Sequence, residues 1–392
     1  MRMPGISPPG SGPPPGEPRH RDLRWDGRVV RVTTPAPADA WAALAAADPT
    51  TLPFQTTAWR HCVCAGSGWQ DASRLYETAG GRQLVLMMAR RSVGPRLAVE
   101  ASWPAGWGAG GVLAAGGVRP EEAALVCADL ARGRVVSASV RPGFGTAPAW
   151  RHASTGAFVI PRAVHVVHFS GESFDAHWAR SVPAKMRRGM RNARRHQEQA
   201  GVTITSGNSP ELVAALYQVY LRWIDCRAGQ RKVPASMARW QARRAEPFGK
   251  FSTVASALGA GCRIWVAWWE GRPIGASVSL YAGDAAVGWR AYTDRSVPTS
   301  FRLFEILAVE ALRHACESGC RYMEMGESVG RPDLAAIKER LGGQEHAFAE
   351  YCFERAPMSR GRMALQRLRR NAEQRIVAHR GRAAPQQPGR PA

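Results

Sequence analysis

Two glutamates, a tyrosine and a lysine are the residues of this chain on which proton transfer can be built. Glu324 and Glu327 lie at and just past the end of RYMEM (321–325), a stretch of strand composition. Open α/β sheets gather their ligands outside strand ends, and a carboxylate there can take a proton. Tyr292 closes the preceding strand-like segment and can give one. Lys338 is one of four lysines (185, 232, 250 and 338) beside 49 arginines. A lysine kept in so arginine-biased a chain is informative, because a guanidinium replaces a compact point charge poorly. Each residue also has a plainer reading: a solvated loop glutamate, a core tyrosine, and a helix-surface lysine beside Glu339.

A second constellation is KMRRGMRNARRHQEQAGV (185–202). On a helix, Arg187, Arg188, Arg191, Arg194 and Arg195 share an arc of roughly 120°, with Val182, Met186, Met190 and Ala193 opposite. A merely solvated face would intersperse acids at i,i+4, and none appears before Glu198. Arg187, Arg191 and Arg195 are therefore expected to face an anion, with the methionines buried. A GC-rich genome's taste for arginine would produce the same face.

The 392 residues suit about two domains, and 45% apolar with 21% charged residues suits a globular chain. Net charge is +22. The eight cysteines form no C-x-x-C, and no histidines sit at zinc spacing. His165 and His168 fall on opposite faces of a predicted strand. No metal and a reducing compartment are expected. The proline-rich N-terminus has no signal-like apolar core, and no apolar run approaches the ~20 residues of a membrane helix. A cytoplasmic protein without a transmembrane segment is expected.

Around these residues the pattern predicts a Pro-rich disordered tail over 1–24, a lobe over 25–160, a second lobe over 161–355 and a basic, partly helical tail over 356–392. Apolar strands joined by Gly-Arg turns (Gly81-Arg82, Gly271-Arg272) predict one hairpin at 74–89 and another at 264–281. Helices are predicted at 38–47, 120–132, 173–199 with Pro183 as a possible break, 209–227, 299–318 and 332–341. The paired hairpins suggest an internal duplication. The expected fold is α/β (α+β): two lobes, each a mixed sheet flanked by helices.

Five segments in order carry a resemblance. They are PFQTTAWRHC (53–62), WPAGWGAGGV (103–112), the arginine stretch, Thr299–Gly319 followed by RYMEMGES, and AAIKERLGG (Ala335–Gly343). The chain resembles the FemAB-like branch of the GNAT acyltransferase superfamily, also labelled BioF2-like or CelD-like, over roughly residues 50–355. Glu324 stands where that family usually has Asp. Ile337 and Leu341 replace two phenylalanines, and RSVPTSF stands where GNAT proteins carry a pyrophosphate loop.

The resemblance implies two GNAT-like lobes and acyl transfer to an amine without a metal or a permanently bound cofactor. It assigns Glu324, or else Glu327, as base, Tyr292 as donor to the leaving group, and Lys338 to the acyl carrier or developing oxyanion. A phosphate-bearing donor would lie at the start of the 299–318 helix, capped by Thr299 and Ser300 and flanked by Arg295 and Arg302. An acyl thioester, acyl-CoA or a carrier protein, is the expected co-substrate. Aminoacyl-tRNA, and with it peptide-bond formation, is the alternative; a basic nucleic-acid-binding protein without enzymatic activity is the third reading. The acceptor would be an amine-bearing small molecule or a cell-envelope precursor, with tRNA as a further partner.

Overall fold

The computed structural model describes residues 18–355, apart from 66, 96, 152, 154, 155 and 329, together with residue 361. The expected tail helix past residue 361 and the tail before residue 18 lie outside the described residues.

The first half opens with strands β1 (Arg19–Trp25) and β2 (Arg28–Thr34), helices α1 (Ala38–Ala47) and α2 (Thr57–Cys64), and the short strand β3 (Gln70–Asp71). It continues with β4 (Arg74–Thr78), β5 (Gln83–Leu86), β6 (Ala89–Gly94), β7 (Leu97–Ala101), β8 (Val112–Ala114), α3 (Pro120–Arg132), β9 (Ser137–Val140) and α4 (Ala147–Trp150). Part of the segment expected as a disordered tail is thus a strand: residues 19–24 belong to β1. Only Leu23 of β1 is buried, so this charged edge strand carries almost no apolar signal.

The second half comprises β10 (Phe158–His168), α5 (Phe174–Ser181), α6 (Ala184–Gln199), β11 (Thr203–Gly207), α7 (Pro210–Arg231), α8 (Ala235–Ala245), α9 (Phe248–Leu258) and β12 (Cys262–Trp269). Then follow β13 (Arg272–Ala282), β14 (Ala285–Thr293), α10 (Leu303–Glu317), β15 (Tyr322–Glu327), α11 (Pro332–Arg340) and β16 (Gln344–Glu354). Pro183 does break the 173–199 helix, into α5 and α6, because it has no N–H to donate. The β12–β13 turn needs left-handed backbone at Glu270 (φ 50°) and Gly271 (φ 71°), the geometry of a tight two-residue hairpin.

A five-stranded antiparallel sheet has the order β1-β2-β4-β5-β8. A larger, mixed sheet has the order β11-β12-β13-β14-β15-β10-β16-β9-β7-β6-β3, so it crosses residue 160 without a break and joins the lobes edge to edge. Outward from its centre, where β10 and β16 pair antiparallel over nine residues, the two directions match. On each side comes an antiparallel neighbour, β15 or β9. A parallel partner follows, β14 or β7, paired over three residues (Ala285–Val287 with Tyr322–Glu324; Val99–Ala101 with Ser137–Ser139). Each parallel pair is bridged by a crossover that contains a helix, α10 or α3, as parallel strands require.

In the second lobe the strands are buried on both faces. Ile264, Val266, Ala276 and Val278 face α7 and α9, whereas Trp265, Ala267, Ile274 and Ala286 face α6 and α10. Along β12 this follows from the two-residue period of a strand, and on β13 a bulge that leaves Ile274 unpaired turns it to the face opposite Ala276. The first of these cores also takes Trp41, Phe54, Trp59, Trp103 and Trp107 from the first half, so the lobes share apolar contact as well as a sheet.

Candidate functional site

The parallel pair β14–β15 separates soon after it forms. Opposite β13, Val278 pairs with Arg290 and Ser279 with Gly288, which leaves Trp289 as the extra residue of a bulge. A bulge bends its strand and ends regular pairing. Past Val287–Glu324, therefore, β14 and β15 diverge around a cleft of about 550 Å³. Its walls are Gly288–Ala291 of β14, Met323–Glu327 of β15, and Phe304, Ala308 and Ala311 of α10. Gly326 (φ 77°) turns the end of β15, and a Cβ there would stand 3.3 Å from the Gly288 carbonyl oxygen.

Glu324, Glu327 and Lys338 line this cleft together. Glu324 is 7% exposed. Burial pushes its carboxyl up to about 7, nearby Glu327 adds to the rise, and Lys338 opposes it. Lys338, expected as a surface residue, is only 2% exposed. Its Nζ donates to the backbone oxygens of Gly326 at 2.7 Å and Glu327 at 3.3 Å. Burial draws the ammonium down to about 8, and the carboxylates of Glu324 and Glu327 hold it up. α11 thus pins the strand end with its lysine.

Glu327 is half-exposed and belongs to a square of alternating charge. Arg162 contacts Glu327 at 3.1 Å and Glu350 at 2.5 Å, while Arg141 contacts Glu350 at 2.9 Å and Glu327 at 3.6 Å. The flanking guanidiniums keep the half-buried Glu350 ionised, below the usual carboxylate range despite its burial. Arg141 and Arg162 also line a second, larger cavity of about 1540 Å³. That cavity runs along the first lobe past Trp69, Trp103 and Trp107 to Lys250. Between the two cavities, Lys250 Nζ donates to Gly106 O and Glu246 at 3.0 Å each and lies 4.3 Å from the Trp107 ring centre. Burial, reinforced by Arg290, lowers it to about 8.

Tyr292, the expected proton donor, is absent from the cleft lining. It is buried against Tyr220 (centroids 4.8 Å apart) and Trp223 (5.6 Å), and burial raises its phenol far above the ordinary range. The plainer core reading describes it. The anion site expected at the start of α10 is also built differently. Thr299 and Ser300 lie in an exposed 3₁₀ turn, and the N-cap is Arg302 in left-handed backbone (φ 45°), without a side-chain cap. Its guanidinium turns toward α6, bonding Glu305 at 3.0 Å and Met186 Sδ at 3.3 Å. Arg295 is exposed. On α6, Met186 and Met190 are buried, Arg191 and Arg195 are exposed, and Arg187 is half-buried. Arg194 is paired with Glu310.

Ser277, Ser279, Arg141 and Arg162 line the cleft without having stood out in the sequence. No local spacing marks them, because they meet only when the end of β9, β10 and β13 come together.

Residues 184–333 match the family model described as "Acetyltransferase (GNAT) domain". This region is a GNAT acyltransferase domain, and the protein is an acyltransferase. The match runs from α6 into α11 and includes both strands of the cleft. Lys338, β10 and β16 lie outside it. Among solved structures, FemX matches at a TM-score of 0.58 and 10% identity, over 81% of this chain and 96% of that one. The two share a fold. A tandem GNAT protein from the clavulanic acid biosynthesis pathway aligns at a TM-score of 0.44 and 14% identity, over 73% and 83% of the two chains. No curated sequence matches the chain. Among the described residues no helix is long and apolar enough to cross a membrane, and no cluster of ligands could hold a metal ion.

Proposed function

We propose that this GNAT domain transfers an acyl group from an acyl thioester, lodged between β14 and β15, to a primary amine. The observation that carries the reading is the bulged divergence of these strands. It frees backbone N–H and C=O groups of residues 288–291 and 325–327 from mutual pairing, beside a buried carboxylate and a buried lysine. A phosphopantetheine arm, common to coenzyme A and carrier proteins, carries amides that suit such strand edges.

In this reading Glu324 takes the proton of the incoming ammonium. A carboxyl titrating near 7 suits that task at neutral pH. The amine nitrogen attacks the thioester carbonyl, the oxyanion forms beside the Lys338 ammonium, the nitrogen gives its second proton to water, and the C–S bond breaks to release thiolate, which takes that proton back from water. Lys338 has a third N–H beyond the two it gives to the backbone. Lys338→Ala is expected to lower turnover by about two to three orders of magnitude. It should also destabilise the fold by ~1–3 kcal/mol, because the Gly326 and Glu327 carbonyls lose their donor. Turnover within threefold of wild type would remove Lys338 from the chemistry.

The second reading, aminoacyl-tRNA as donor, draws support from the exposed Arg191 and Arg195 of α6, which have no acidic partner among the described residues. Radiolabelled acetyl-CoA and radiolabelled aminoacyl-tRNA, offered in parallel with a panel of amines, separate the two. Transfer from acetyl-CoA alone is expected. Transfer from tRNA alone would replace the thioester reading.

A further inference from the structure

Helix α8 is built inside out. Its alanines 235, 238, 242 and 245 share one face, on which Ala242 is buried and Ala238 half-buried, while Ala235 and Ala245 at the helix ends are exposed. At 100° per residue, Met237 and Trp240 lie on the opposite side. They are 52% and 59% exposed, and Phe248, just past the helix, is 43% exposed. Among the described residues, Phe248 meets the Tyr217 ring (centroids 5.4 Å apart) and still leaves much of its side chain open, as do Met237 and Trp240. Around them Arg231, Lys232, Arg239, Arg243 and Arg244 are exposed. Nearby acids are already engaged: Asp225 pairs with Arg239, and Glu246 turns inward to Lys250 and Arg290. The patch is cationic with an apolar crest.

We infer that α8 and Phe248 form a docking surface for an anionic lipid bilayer, with Met237, Trp240 and Phe248 entering the acyl boundary and the arginines meeting the headgroups. Bulky apolar side chains flanked by arginine are what an interfacial helix presents to a membrane, and arginine stems extend their charge to the headgroup level. Two other occupants fit less well. A nucleic acid would stack bases on the tryptophan, but the Arg244 guanidinium already lies 5.0 Å over the Trp240 ring. A second copy of the chain would bring five cations against five like charges. The placement has a use as well, since Arg244, Ala245, Pro247 and Lys250 line the larger cavity, whose rim would then open at the lipid surface. The inference stands on this surface and does not depend on the acyl donor.

The test is flotation of the full chain with vesicles of phosphatidylglycerol and phosphatidylcholine, and of phosphatidylcholine alone. Two double variants are compared with wild type: Met237→Ser with Trp240→Ser, which leaves net charge and the basic C-terminus intact, and Arg243→Gln with Arg244→Gln. Wild type is expected to bind the anionic vesicles and not the neutral ones. Each double variant should lose about tenfold or more in partitioning, with an unchanged melting temperature because the altered residues are exposed. Binding of the Met237/Trp240 variant at the wild-type level would overturn the inference. So would a loss of tRNA binding with vesicle binding intact, which assigns the patch to nucleic acid. A wild type that dimerises without binding vesicles, and becomes monomeric in that variant, assigns the patch to a second copy and overturns it too.

Discussion

At the scale of single residues, the site holds two groups whose environments push them toward each other's titration range. Glu324 is lifted to about 7 and Lys338 is lowered to about 8. Turnover should therefore rise with pH as Glu324 ionises near 7 and fall above about 8 as Lys338 loses its proton, a narrow bell in the kcat profile. Glu324→Gln should abolish the acidic limb. The same shift has a sign in stability. The folded protein holds the Glu324 proton more tightly than the unfolded chain, so stability is lost as pH rises from about 4.5 to 7. Glu324→Gln should therefore be more stable than wild type at pH 8, by on the order of 2 kcal/mol, and equal to it near pH 4. Thermal melts at both pH values check this, and equal stability at pH 8 would mean that Glu324 ionises freely in the fold. Glu324, Glu327 and Lys338 are legible in the sequence because one short strand–loop–helix segment carries all three. Tyr292 misleads because a strand end looks alike whether it faces a cleft or a core. The salt-bridge square is invisible locally, since Arg141 lies just past β9 and the others come from β10, β15 and β16.

Among the elements, the bulge in β14 and the turn at Gly326 decide whether there is a cleft at all. Gly326→Ala places a side chain on left-handed backbone, costing ~1 kcal/mol, and sets it against the Gly288 carbonyl. The expected outcome is a raised KM for the acyl donor with a small drop in melting temperature; an unchanged donor KM would show that the donor does not lie between these strands. The corresponding place in the first lobe is sealed. Past Ser139, the Ser102 N–H bonds the Ser139 carbonyl at 2.8 Å, and its Oγ accepts from the Arg141 N–H at 2.7 Å. The hairpins, α3, α7, α10 and the break at Pro183 are legible because their patterns follow one period. β1 and α8 are not, the first because charge dominates an edge strand, the second because its one buried residue is the small Ala242 while Met237 and Trp240 face out, which inverts the usual amphipathic rule.

At the scale of the whole molecule, β10 and β16 tie the halves together. β10 lies between β15 and β16, and β16 lies between β10 and β9. The first lobe's sheet is thus completed by β16, the last strand among the described residues. Residues 18–157 expressed alone should therefore fail to fold, with β9 left as an open edge, while the full chain should unfold in one transition by both circular dichroism and fluorescence. Two resolved transitions would show that the lobes are independent. The two similar hairpins do not occupy matching places, since β4–β5 lies in the five-stranded sheet and β12–β13 in the larger one, and the matched order of strands about the β10–β16 pair resides in pairing rather than in residue identity. The exchange also constrains how the protein is made. Arg141 and its partner Glu350 stand 209 positions apart. At ~5–20 residues per second of translation, the first half waits about 10–40 s on the ribosome before the strand that closes its sheet exists. Throughout that interval the edge of β9 is unprotected, so the growing chain is most exposed to chaperones, and to misassociation with its own kind, before its second half has been synthesised.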